Sequence, residues 1–414
     1  MLAEDSPIGL IISFGALFLS IIFLQLSSGG VGPLDALSGV ALGFSKTQIG
    51  LLGSAHFFGF FLGCWWAPRL MGTVGHSRAF AAFTTLGAIG LLSHTLSDNP
   101  YLWMMMRVGS GLCISGCYTI IEAWLNDKVT NENRGRAMGS YRIVDTGAML
   151  IAQMLIAVLE PNHYISYNIL ALLCCAAILP ITLTRDKQPE TPDAPRLRPA
   201  LAWSISPLAS LGVVIAALSG SSFRMVGPLF GQEVGLGVDQ IAFFLAASIL
   251  GGAAAQYPVG WLADKFDRRW VLIGLSVAAI GSCVVTILLT RHGSDAIMAS
   301  AVLFGFTTIP IFSVSAAHAN DFASSKQRVE LSAALMFFYA LGAIASPYVV
   351  SVLIETFNPG AMFIFVAVGH LLLIVFGVHR MRTRGTREKR TPYVYVPRSS
   401  FTIGRLLRRP RRRR

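Results

Sequence analysis

Apolar runs long enough to cross about 30 Å of hydrocarbon as a helix recur along this chain. They cover 9–30, 47–67, 78–97, 101–124, 137–158, 165–184, 203–229, 239–260, 270–290, 296–317, 329–354 and 360–379. Twelve such runs joined by short charged loops leave few options. In lipid every backbone N–H and C=O must be satisfied internally, so a spanning chain is a helix bundle or a closed barrel. Barrel strands alternate in polarity over short segments, and these runs do not. Charge content agrees: 13% of the 414 residues are charged, against about 25% in a soluble domain. The expected fold class is all-α membrane, with twelve transmembrane helices.

The loops are asymmetric in charge. One side collects Arg69, Arg78, Lys128, Arg134, Arg136, Arg185, Lys187, Arg196, Arg198, Lys265, Arg268, Arg269, Lys326, Arg328 and the C-terminal tail; the other has Lys46 and Arg291. Lys and Arg in short loops mark the cytoplasmic side, so both termini are expected there. Trp65, Trp66, Trp124, Trp203, Trp261 and Trp270 fall near the same helix ends, as an interfacial belt does. Met1-Leu-Ala-Glu-Asp5 lacks the positive region of a signal peptide, so the first run is expected to remain as a helix. Residues 380–414 hold 14 Lys and Arg and one acid, Glu388, a net +13 against +12 for the whole chain. The rest of the protein is therefore nearly neutral. The tail is expected to be disordered and to touch anionic membrane lipid; no stacking aromatic module accompanies it, so no nucleic-acid partner is expected.

The chain also repeats itself. Val31-Gly-Pro-Leu34 recurs as Val226-Gly-Pro-Leu229, each read as the end of a helix. Gln48-Ile49 recurs as Gln240-Ile241, Ala88-Ile-Gly90 as Ala279-Ile-Gly281, Asn126-Asp127 as Asn320-Asp321, and Arg134 as Arg328, all at offsets of 191–195. An ordered series at one offset predicts two six-helix halves in the same orientation, 1–184 and 203–379. Between them lies a charged, Pro-rich cytoplasmic linker, 185–202.

Gly260-Trp-Leu-Ala-Asp264-Lys265-Phe-Asp-Arg268-Arg269 joins the eighth and ninth runs. This G-x-L-A-D-[RK]-x-x-R-R pattern resembles the loop signature of the major facilitator superfamily of secondary transporters, with Asp267 in place of its usual Gly. The resemblance covers the chain up to the tail. Pro68-Arg69-Leu70, Val74-Gly75-His76 and Arg78 in the first loop resemble a bacterial YcaD-like subgroup. The family implies a conformational latch at Gly260, Asp264, Lys265, Arg268 and Arg269. The first loop has Gly72 at the acidic position, so it cannot inherit that role; the alternative to the latch is a solvated turn with orientation-setting charges.

Ionisable groups at bilayer depth are costly and usually face a cavity or a partner. Arg107, followed by Gly109 and Gly111, resembles a second family signature that is linked to proton coupling; the alternative is a structural arginine reaching polar atoms near the outer end. Glu122 and Arg142 should lie at matching depth on adjacent helices, with Asp145 on the face of Arg142. They are read as an ion network serving as a gate or as a proton or substrate site. Arg224 could meet an anion, close the outer gate or snorkel to the interface. His56 could titrate near neutral pH or simply pack, and Gln25, Gln256 and Tyr257 are weaker cavity candidates. Gly342 and Pro347 mark a bend-prone eleventh helix.

The six cysteines have no metal-ligand spacing, and no phosphate loop, H-E-x-x-H or G-x-S-x-G is present. No enzyme activity, cofactor, metal or ATP coupling is expected. The expectation is a monomeric multi-pass transporter in the bacterial inner membrane. It would move a small organic solute by alternating access, coupled to protons. A scaffold or sensor of the same fold, or an uncoupled facilitator, is the alternative.

Overall fold

The computed structural model describes residues 7–130, 133–183, 197–324, 327–383 and Tyr393. The helices are α1 (Pro7–Ala41), α2 (Lys46–Val74), α3 (His76–Ser93), α4 (Pro100–Lys128), α5 (Arg134–Ile156), α6 (Tyr164–Ala176) and α7 (Ile178–Leu183). There follow α8 (Pro199–Ile205), α9 (Pro207–Glu233), α10 (Val238–Lys265), α11 (Arg268–Leu289), α12 (Ser294–Thr308), α13 (Pro310–Phe322), α14 (Arg328–Thr356) and α15 (Ala361–Thr383). Pairing α6 with α7 and α12 with α13 gives twelve passes, with α8 a short helix ahead of the seventh. Eleven of the twelve are apolar enough to span a membrane by composition; α5 is not. The chain is a multi-pass membrane protein of two six-helix halves. Below, the side carrying the α4–α5 and α10–α11 loops is the basic face, and the opposite side is the far face.

Local chemistry sets several helix ends. Ser45 and Gln48 form a reciprocal capping box at α2. Asn99 Oδ1 accepts the Tyr101 N–H at 2.9 Å, with Pro100 in the first turn of α4. Two expected boundaries move. Val31-Gly-Pro-Leu34 and Val226-Gly-Pro-Leu229 do not end helices: α1 continues through Pro33 to Ala41 and α9 through Pro228 to Glu233. Inside a bundle, neighbouring helices re-satisfy the backbone groups that Gly and Pro release. The second change is at the linker, whose last residues join α8; 184–196 lie outside the described residues, as does the tail except Tyr393. Of the six tryptophans expected in a belt, five are exposed, but Trp124 is buried against His76 with ring centroids 6.0 Å apart.

The repeat is visible in the packing. A Cβ on Gly59 of α2 would overlap the Val108 carbonyl of α4, and one on Gly111 would overlap the His56 carbonyl. In the second half, Gly251 of α10 meets the Val302 carbonyl of α12, and Gly305 meets the Ser248 carbonyl. Hydrocarbon provides no hydrophobic drive between helices, so close backbone approach through small residues holds such pairs together. The symmetry is geometric but not chemical. At the repeat offset of 194, Arg107 corresponds to Ala301 and Asp145 to Tyr339, so these two charges have no counterpart in the C-terminal half.

The two halves touch at the far face. Lys46 at the start of α2 pairs with Glu233 at the end of α9, 2.6 Å apart. The Thr47 N–H donates to Glu355 of α14 at 2.8 Å. One turn deeper, Gly50 lies against Ser351 and the Pro347 carbonyl, and Gly53 against Met225 and Pro347. Bend-prone Pro347 is thus part of the contact between the halves.

Candidate substrate cavity and buried ion cluster

A cavity of about 710 Å³ lies between the halves. Its volume falls within the range that small organic ligands occupy. Arg142, Asp145, Thr146, Met149 and Gln153 of α5 line it at helical spacing, so they form one stripe. This stripe is why α5 reads as too polar to span. Gln25 and Ser28 of α1, His56 and Phe60 of α2, and Tyr118 of α4 complete the N-terminal wall. The opposite wall is largely apolar, with Phe223, Leu245, Ile249, Phe304 and Ile309, and carries Arg224 and Gln256.

Five of the seven expected coupling or substrate residues, Gln25, His56, Arg142, Asp145 and Arg224, therefore share one cavity. Asp145 Oδ1 accepts the Gln25 amide at 2.7 Å and the Tyr118 hydroxyl at 2.8 Å. His56 Nδ1 is 3.4 Å from the Ser110 hydroxyl. Glu122 lies behind the wall, fully buried, where it accepts the Tyr141 hydroxyl at 3.2 Å. The Arg142 guanidinium lies 5.1 Å from the centre of the same Tyr141 ring. Tyr141 thus stands within the expected Glu122–Arg142–Asp145 group, with Asp145 on the cavity side.

Arg107 lies outside the cavity lining, in a second buried cluster. Its Nε is 3.3 Å from Asp35 Oδ2, and both side chains are almost fully enclosed. His94 Nε2 is 3.4 Å from the same oxygen, while the Tyr167 hydroxyl donates to Asp35 Oδ1 at 3.1 Å. His94 Nδ1 sits 2.7 Å from the Gly90 carbonyl, so this nitrogen must carry a hydrogen. Trp103 and Tyr167 enclose His94, with ring centroids 4.7 and 5.2 Å away. One contact leaves this half: Arg107 Nη2 lies 3.8 Å from Met225 Sδ on α9. Asp35, His94 and Tyr167 escaped the sequence reading. The apolar continuation after Pro33 was the signal that Asp35 is helical rather than in a loop.

The expected latch residues lie on α10 and α11, and Arg268 carries their contacts on to α13. Arg268, 1% exposed, pairs with Asp264 at 3.2 Å and with Asp321 of α13 at 2.7 Å, and donates to the Ala317 carbonyl at 2.9 Å. Arg269 pairs instead with Asp267 at 2.8 Å. Asp267, the departure from the signature, also caps α11 by accepting the Arg269 N–H at 3.0 Å. Lys265 lies 4.6 Å from the centre of the Trp261 ring. Tyr393 of the tail reaches this loop: its N–H donates to Asp264 at 2.7 Å, its hydroxyl donates to Gln256 at 3.0 Å, and its ring covers Gly260.

Known proteins agree with this architecture. The family model of the Major Facilitator Superfamily matches residues 14–206 and 209–412. YcaD, an uncharacterised MFS-type transporter of Escherichia coli O7:K1, is 26% identical over 327 residues, 78% of this chain and 84% of its own length. Ent638_1421, an uncharacterised MFS-type transporter of Enterobacter sp., is 24% identical over 322 residues, 77% of this chain and 83% of its own. Among solved structures, an inward-facing, occupied bacterial homologue of the human lysosomal transporter Spinster superposes with a TM-score of 0.72 at 17% identity, covering 90% of this chain and 97% of that one. The nucleoside transporter NupG gives 0.70 at 14% identity, covering 90% and 100%. At those identities the structural likeness is one of fold, whereas the family model spans both halves and their repeat. The chain belongs to the Major Facilitator Superfamily of secondary transporters, with YcaD-like transporters among its relatives.

Proposed function

We propose that this chain moves a small organic solute across the bacterial inner membrane by alternating access, with both termini cytoplasmic, and couples that movement to protons. The observation that carries the reading is the cavity of about 710 Å³ walled by both halves, with its far-face end bridged by Lys46–Glu233 and Thr47–Glu355. Rocking of the halves about such a site would break these exposed contacts, each worth about 1 kcal/mol or less, and reform others on the basic face. Asp264, Arg268 and Asp321 are read as the latch that biases this equilibrium, with Gly260, Lys265 and Arg269 supporting the loop.

The Asp35–His94–Arg107 cluster supports proton coupling, because ionisable groups meet there inside the protein and it touches the other half through Arg107 and Met225. The basic tail is read as a contact for anionic lipid, and the protein as a monomer. The test is a thermal-shift screen of metabolites and drugs on purified protein, since a ligand that binds the native state raises its apparent stability. Hits are then followed into proteoliposomes with and without a pH gradient. A gradient-driven accumulation that Asp35→Asn abolishes is the expected result. Accumulation unaffected by the gradient removes the coupling, and no uptake of any bound solute removes the transport reading.

A further inference from the structure

We infer that the basic-face end of α10 is a docking surface for the chain's own tail, and that Tyr393 seated there holds the two halves in the far-face-closed state until it leaves. This rests on the alternating-access reading and names a regulator of it. Leu245, Ser248, Ile249, Gly252 and Gln256 of α10 line the cavity. They recur at helical spacing, so they mark the side of α10 that faces between the halves. The same side runs on toward the basic face through Gly260 and Asp264, each four residues further along a helix that ends at Lys265. Tyr393 sits on this continuation.

The seat uses three separate parts of one residue. The ring lies over Gly260, where a Cβ would come within 2.8 Å of Tyr393 Cδ1. The Gln256 amide donates to the Gly252 carbonyl at 3.0 Å, which leaves Gln256 Oε1 to accept the Tyr393 hydroxyl at 3.0 Å. The Tyr393 N–H donates to Asp264 Oδ1 at 2.7 Å, the oxygen that Arg268 meets at 3.2 Å. The tail therefore shares the carboxylate of the expected latch. Tyr393 lies ten residues beyond Thr383, the end of α15, a reach of at most about 35 Å. Such a tether makes docking intramolecular, so a modest set of contacts suffices. Closing the basic face requires the N-terminal half to approach the side of α10 that carries Gly260. A bare glycine permits that close approach, and an aromatic ring laid on it obstructs it. The far-face contacts Lys46–Glu233 and Thr47–Glu355 are in place while Tyr393 is seated. Docking thus favours this state, and release of the tail shifts the population toward the other.

Two measurements on the full-length protein in proteoliposomes test this, and neither needs a cargo. First, a benzophenone amino acid in place of Tyr393 should crosslink, on illumination, to the α10 peptide that carries Gly260, within a single chain. A crosslink elsewhere, or one that joins two copies, overturns the intramolecular seat. Second, the far face is probed by the labelling rate of Thr47→Cys in a Cys175→Ser background. Tyr393→Ala should raise that rate about threefold or more, as loss of a hydrogen bond and a ring contact requires. Tyr393→Phe keeps the ring and the N–H and should raise it less. Tyr395→Ala, two residues on, should leave it unchanged. A rate unaffected by Tyr393→Ala, or raised equally by Tyr395→Ala, overturns the inference. Should every solute tested fail to be carried, the transport reading falls while a mapped crosslink and a faster label still support the docking surface.

Discussion

The Arg107–Asp35 pair makes a demanding prediction. At 3.3 Å, Coulomb's law with an effective dielectric of about 20 gives an attraction of about 5 kcal/mol. Desolvation of both groups offsets much of it, so the pair is worth far less than its rupture costs. Asp35→Asn leaves Arg107 buried with the Met225 sulfur 3.8 Å away, and should cost about 3–5 kcal/mol. Arg107→Met should cost less, because Asp35 keeps the Tyr167 hydroxyl at 3.1 Å and the His94 ring at 3.4 Å. The double variant removes both charges and should be less harmed than the two singles combined, with a coupling energy of about 2–3 kcal/mol. Unfolding in mixed detergent micelles, followed by tryptophan fluorescence, measures this; Trp103 lies 4.7 Å from His94 and reports on the cluster. Strict additivity refutes the ion pair. Arg107→Ala should abolish transport while the protein stays in the membrane, and wild-type flux in that variant refutes its role in coupling.

Other predictions concern the two faces. Asp264 is half-exposed, so Asp264→Asn should change stability by less than about 1 kcal/mol yet slow turnover about fivefold or more with cargo affinity preserved; loss of binding with intact turnover removes the latch. Gly50→Val would press on Ser351 and Pro347, so a cysteine placed at Thr47 should label faster in a Cys175→Ser background, and an unchanged labelling rate contradicts the far-face contact. Burial works to raise the Asp267 carboxyl, but hydrogen bonds and charge from Arg269 outweigh it and hold the group below its ordinary value. Its stabilising contribution is then complete above the unfolded value of about 4 and fades as pH falls through the lower folded value. Asp267→Asn retains the cap, so it should melt slightly below wild type at pH 7, and that gap should narrow in acid; a gap that widens reverses the sign. Truncation after Thr383 removes the basic tail and Tyr393, and a transporter should keep most of its flux; complete loss would place the working part in the tail.

The passes, the repeat and the cavity-facing charges were legible because each is a local contrast. A lone Arg107, Arg142 or Arg224 in an apolar run announces itself. Asp35 did not, since Gly29-Gly30-Val31-Gly32-Pro33 resembles a helix breaker in water and the residues beyond it read as loop. The bilayer and the surrounding helices reverse that rule, and α1 carries Asp35 to within reach of Arg107. His94 and Tyr167 were unreadable for another reason: their role depends on which helices pack together, which no spacing within one run encodes. Glu122, Arg142 and Asp145 could be singled out from their spacing, but the position of Tyr141 among them depends on side-chain packing.

The polar stripe of α5 also bears on how the protein is made. Each arginine or aspartate at the centre of an isolated helix opposes insertion by about 2.5–3.5 kcal/mol, and α5 holds Arg142 and Asp145 in mid-span. Such a segment does not partition from the translocon into lipid alone. It is expected to enter as a passenger, after α1 and α4 have brought Gln25 and Tyr118, which carry the donors for Asp145. Substitutions of those two residues should therefore lower the amount of protein that reaches the membrane, in pulse-labelled cells, before they touch its turnover. The polar stripe that lines the cavity would thus be the part of the chain that most opposes its own insertion.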